Sequence, residues 1–357
     1  MWALDNRTPF AADRSWVRDR DGAEIWLVAV KGTFNIHPDG STSVADQQAD
    51  VQLAAKYSGE PGKSSIVYDA DLPRTKVTTD IIVNGHAYAP RGKPTKAVTV
   101  SFRVGDLVKS LRVTGDRLWK GFGFVAWRSR CRAFVKMPIT YERAFGGMDL
   151  TSKNPKRHKW DPRNPVGTGV AKSSGHLIGK LEPNIHAVGF RPFAWFRKPI
   201  PAGFGVIAGH WTPRVKLAGT CGAKWQAERA PLLPEDFDDR FYQSVPPDQQ
   251  TSRFLMGGEE VYLTNLTPGG VLAFRLPRVV LGFETDFGGE PVRHRANLHT
   301  VILEPNVPRV MLVWHTALPC HPQVTKLRRT RIIQKTLLSR PGAQTQPAPS
   351  ESEQVFA

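Results

Sequence analysis

Apolar positions in this chain recur in short runs that alternate with polar ones and are cut by turn-forming residues, a pattern that predicts strands far more often than helices. Residues 24–36 read as one long strand, rich in β-branched and aromatic side chains and closed by the turn His37-Pro38-Asp39-Gly40. Residues 76–88, 97–104 and 107–113 read as three more, the last two joined through Gly105-Asp106 in a tight hairpin. Near the C-terminus, residues 270–276, 298–303 and 310–314 repeat the pattern at a spacing that suits an antiparallel sandwich or barrel. Helical signals are confined to 213–228 and to 234–242, where Pro, Glu and Asp crowd the first turn. Between 150 and 205 Pro, Gly and Asn erase any period, and Trp160, Phe190, Phe193, Trp195 and Phe196 in that stretch need burial or a partner. The expected fold class is mainly β: antiparallel sandwich- or barrel-like sheets, long Pro/Gly-rich loops and one or two short helices.

Composition sharpens this picture. The 29 Pro and 31 Gly disfavour long helices and suit short strands joined by many turns. We expect one large β-rich domain over 20–340, with a sub-boundary possible in the loop-rich region 150–205. A lead-in of residues 1–19 precedes it, and a Gln/Ser/Pro-rich, disordered tail, 341–357, follows. No apolar run approaches the roughly 20 residues that a membrane helix needs. Asp5, Arg7, Asp13 and Arg14 leave no room for a secretory leader. Cys131, Cys221 and Cys320 are too scattered for a disulfide framework or a zinc ribbon. A cytoplasmic location is expected.

Charge raises the question of a partner. Lys and Arg number 49 against 32 Asp and Glu, a net +17, which points to an acidic partner, whether nucleic acid, lipid or protein. The excess is uneven: 74–136 carries fourteen basic residues and three Asp, whereas 224–260 carries four basic and eight acidic ones. Within the basic stretch, the octamer 120–127 (KGFGFVAW) fits the RNA-recognition RNP1 pattern except at its last position. The helix that such a fold places between its signature strands is missing, and 90–118 holds Gly and Pro between strand-like runs instead. A nucleic-acid-binding role for 74–136 is therefore the alternative rather than the first choice.

Catalytic and metal signals are weaker. Gly62-Lys63-Ser64 lacks the glycine a phosphate loop requires at position 57, where Tyr stands. His294, His299, His315 and His321 with Cys320 follow no metal-ligand spacing, and no Gly-x-Ser-x-Gly elbow occurs. Glu235, Asp236, Asp238, Asp239, Glu259 and Glu260 could supply a carboxylate pair, so a hydrolase is the second alternative. A non-enzymatic protein without cofactor or metal is expected.

Longer strings carry a resemblance. Residues 136–147 (KMPITYERAFGG) resemble the signature of the bacterial family known as domain of unknown function 2169. In the same order follow matches at 71–76 (DLPRTK), 83–90 (VNGHAYAP), 164–167 (NPVG), 181–185 (LEPNI), 201–205 (PAGFG), 234–241 (PEDFDDRF), 246–249 (PPDQ), 257–259 (GGE) and 263–268 (LTNLTP). The likeness runs from about residue 20 to 335; Cys221-Gly222 stands where Tyr-Asp is expected. The resemblance implies an adaptor or chaperone that binds a type VI secretion effector and helps load it onto the spike, through a PAAR-like tip protein or the trimeric spike protein. It brings no catalytic residues with it. Arg74, Lys76, Tyr141, Glu142, Arg143, Asp236, Asp238 and Arg240 are the motif positions able to touch a partner, and also able to lock loops together as buried ion pairs.

Overall fold

The computed structural model describes residues 2–189, 196–321 and 323–335. It is mainly β, and three sheets carry the architecture. The longest strand, Glu24–Ile36, is buried on both faces along most of its length, as its unbroken apolar run requires of a central strand. It lies between Ala11–Arg18 and Arg309–Pro319 in a six-stranded sheet, which Thr42–Val44, Asn297–Glu304 and the parallel strand Asp80–Val83 complete. A five-stranded antiparallel sheet orders Ile185–Ala187, Leu107–Thr114, Ala97–Val104, Glu260–Thr264 and Val271–Arg275. Ala97–Val104 shows the alternation of a half-buried strand: Val98, Val100, Phe102 and Val104 face the core, while Thr99 and Arg103 face out. Gly105, at φ 55°, turns it into Leu107–Thr114 in the expected hairpin.

The third sheet joins Ala3–Asn6, Arg329–Lys335, Val280–Asp286 and Val292–His294. Residues 3–18, set apart above as a lead-in, thus contribute a strand to each of two sheets. Trp26 reaches from the central strand to donate its indole N–H to Thr330 Oγ1 at 2.9 Å, tying the first sheet to the third. Phe204 ties the first to the second. Its ring stands edge-on to Phe102 at 5.1 Å, and its carbonyl accepts from Val83 N and from Gln249 Nε2. One contiguous core results, running from Phe10 to Ile332.

Three expectations are corrected. Residues 76–88 do not form one strand: Asp80–Val83 ends at Asn84-Gly85, and His86–Tyr88 pairs separately with Lys136–Pro138. Asn84 diverts the chain by bonding Val67 O through its side chain. Nor is 213–228 a single helix. A 3₁₀ turn, Arg214–Leu217, precedes Gly219, whose φ of 76° breaks the spiral where Pro234 packs against it, and only Ala223–Glu228 is α-helical. Residues 234–242 keep just the 3₁₀ turn Asp239–Tyr242, capped by the Asp238 carboxylate. No helix among the described residues is long and apolar enough to cross a membrane. The tail 341–357, with Phe190, Phe193 and Trp195, lies outside the described residues.

Candidate functional site

The eight motif residues singled out from the sequence are mostly engaged within the chain. Arg74 pairs with Asp239 and lies over the Tyr242 ring, joining two loops 165 residues apart. Lys76 is buried; its ammonium reaches Asp80 at 2.5 Å and Thr300 at 2.9 Å, and Asp80 also accepts from Ser244 N and Gln243 Nε2. The Tyr141 ring is buried edge-on against Trp211, and its desolvated hydroxyl is held above its usual pKa. Burial pushes the Glu142 carboxyl up, but hydrogen bonds from the Ser65 backbone and hydroxyl more than offset this, so its pKa lies below the usual range. Arg143 binds Asp116 and Asn184. Asp236 accepts from Thr220, and Asp238 from Arg240; of the eight, Asp236 and Arg240 are the exposed ones. These residues do not converge on one cleft.

The remaining carboxylates and histidines are likewise occupied or dispersed. Glu259 caps Met256 N, and Glu260 pairs with Arg103 and Arg275. His294 lies between the Thr285 and Thr316 hydroxyls, and His321 pairs with Glu24. Among the described residues no three His, Cys, Asp or Glu side chains gather as a metal site.

A different surface stands out. Strands Trp119–Phe122 and Val125–Arg128 form a two-stranded hairpin, so the RNP1-like octamer lies along a ribbon docked on residues 174–181 rather than in a larger sheet. Gly123, at φ 58°, makes the turn, and Phe122 and Phe124 at the tip are 88% and 87% exposed. Val125 and Trp127 are exposed beside them. The base is held by Gly179 N bonding Trp119 O, and the backbone of the tip by Ser174 Oγ bonding Phe124 O at 2.5 Å. The same turn, Ser174–Leu177, presents His176 to Asp149, whose carboxylate also accepts from Lys172 N at 2.8 Å. Met148–Asp149 pairs in turn with Lys159–Trp160. This relay connects the hairpin to a groove of about 680 Å³ lined by segments 158–163 and 169–172 with Phe145, Phe196 and Lys198. Trp160 and Phe196, expected to need burial or a partner, are 59% and 65% exposed there.

The family model for an uncharacterized protein conserved in bacteria (DUF2169) matches residues 21–315. The chain belongs to this family. No curated protein and no solved structure matches it.

The motif strings of this DUF2169 protein interlock in space. Asn164 donates to the carbonyls of Tyr141 and Phe145, and Gly147 N donates to Asn164 O. A Cβ on Gly146 would meet Asn164 O at 2.1 Å, and one on Gly147 would meet Gly167 O at 2.1 Å, so both glycines are required by backbone proximity. Gly203 lies against the Tyr141 ring in the same way, at 2.9 Å from a Cβ. The groove was not legible as such. Trp160 and Phe196 carried its signal, as large aromatics in a stretch without period, but nothing in the sequence joined them to Lys159, Lys172 and Lys198.

Proposed function

We propose that this protein is a non-enzymatic cytoplasmic adaptor or chaperone that binds a type VI secretion effector and helps load it onto the spike, through a PAAR-like tip protein or the trimeric spike protein. The observation that carries this reading is the exposed aromatic and basic surface, hairpin tip and groove together, on a scaffold whose motif charges are spent internally. Exposed large aromatics are what a protein interface buries as its central anchors, and lysines suit its polar rim. Family membership supports the same reading through the resemblance described above. Expression with PAAR-like and effector proteins encoded beside it should yield a stable complex on affinity purification, and Phe122→Ser with Phe124→Ser should weaken it. Recovery of the chain free of every such neighbour would reject the proposal.

A second reading has one observation in its favour. Phe122 and Phe124, free at the tip with Lys120 in the stem, could stack on bases of a single strand. Binding that survives about 0.3 M salt and is lost on Phe122→Ser would support it; binding that salt abolishes is the non-specific attraction of a +17 chain.

A further inference from the structure

We infer that the groove beside Trp160 receives a short extended segment of a partner protein in which acidic residues flank apolar ones. Its floor is apolar, formed by Phe145, Trp160, Val170 and Phe196. Its volume, about 680 Å³, lies within the roughly 300–1,000 Å³ of ligand clefts. Its rim is basic. Lys159, Lys172 and Lys198 are exposed, and among the described residues none of them forms an ion pair.

The carboxylate in the lining, Asp161, is held by Arg163, whose Nε donates to Oδ1 at 2.8 Å and which also donates to Pro199 O at 3.0 Å. That pair neutralises itself, so the groove presents three uncompensated ammonium groups over an aromatic floor. A small polar ligand would need convergent, unsatisfied polar groups to orient it. Apart from the three rim ammoniums, the polar side chains of the lining named here are committed: Arg163 to Asp161, and His158 Nε2 to Ser152 O at 2.9 Å. Apolar side chains on the floor and carboxylates at the rim satisfy both features at once.

The inference deepens the adaptor reading by giving the chemistry of what is recognised, and it rests on that reading only for the source of the segment. The full-length protein is panned against a displayed library of random twelve-residue peptides, and enriched sequences are synthesised with a fluorophore for anisotropy titration. Enrichment of Asp or Glu beside Leu, Ile or Phe is expected. Trp160→Ala and the double variant Lys159→Glu, Lys198→Glu should each weaken Kd at least tenfold. Replacing the peptide's acids by Lys should restore binding to the double variant. All three positions are exposed, and unchanged melting of the variants confirms that they fold. The inference is overturned if no peptide is enriched, if enriched peptides are neutral or basic, or if the variants bind normally. It is equally overturned if Trp160 proves necessary instead for adhesion to phosphatidylglycerol vesicles or for self-association in sedimentation. No effector is present in this assay. A positive result here with failed co-purification therefore rejects the adaptor alone, and the converse rejects the groove alone.

Discussion

Lys76 keeps its ammonium inside the core because Asp80, itself fully buried, lies four residues on and is already polarised by Ser244 N and Gln243 Nε2. Removing one partner strands the other charge away from water, which costs about 3–5 kcal/mol. Lys76→Met should therefore lower the urea midpoint sharply, and adding Asp80→Asn should recover part of the loss; an unchanged midpoint would mean that the pair does not hold these loops. His299 and His315 stack beside it at 4.5 Å, with Nδ1 of the first and Nε2 of the second unpartnered among the described residues. Burial pushes His315 down to about 3, with the charge of Lys76 adding to the effect, and burial alone pushes His294 down to about 4. In the unfolded chain these imidazoles take up protons near pH 6.5, whereas the folded state refuses them until much lower pH. Stability is thus fully present above pH 6.5 and falls as the pH drops towards 4. The melting temperature should trace that slope, and His315→Asn should flatten it.

At the scale of elements, the loops contain as much constraint as the strands. Gly147, at φ 89°, passes so close to Gly167 O that Gly147→Ala must move one backbone segment or the other. A loss above about 2 kcal/mol is expected in chemical denaturation, because strained φ and steric overlap act together. The hairpin Trp119–Arg128 is the opposite case. Its tip contributes almost nothing to the core, so Phe122→Ser and Phe124→Ser should leave the melting temperature within a degree or two while reducing partner capture. The difference between these elements was partly legible. Glu24–Ile36 and Ala97–Val104 were read with correct bounds because one is apolar on both faces and the other alternates strictly. Residues 213–228 were misread because the chain turns at Gly219, at φ 76°, where Pro234, fifteen positions away in sequence, lies against it.

Across the whole molecule, the +17 charge is distributed over a scaffold that has already paired many of its cations internally, among them Arg74, Lys76, Arg143 and Arg214. The surplus lies at exposed positions, including Lys159, Lys172 and Lys198. Electrostatic steering of this kind acts mainly on the rate of encounter and is screened within about 10 Å at 0.1 M salt. Raising ionic strength from about 0.05 to 0.5 M should slow association with an acidic partner roughly tenfold or more, with a smaller change in dissociation. Surface plasmon resonance separates the two rates; a salt-independent on-rate would remove charge from the account.

The sequence by itself determined the fold class, the long central strand, the Gly105 hairpin and, through its motif strings, the family. Period, turn chemistry and glycine positions are local properties, and they survive without knowledge of the neighbours. Only the tertiary structure decided what the motif charges do and where exposed aromatics and lysines gather. An ion pair such as Arg74–Asp239, or a groove built from Phe145, Trp160, Val170 and Phe196, exists only when distant segments are brought to within a few ångströms. The same residues read alone fit both a contact surface and a buried lock, since charge and aromaticity are indifferent to which side of the chain faces water.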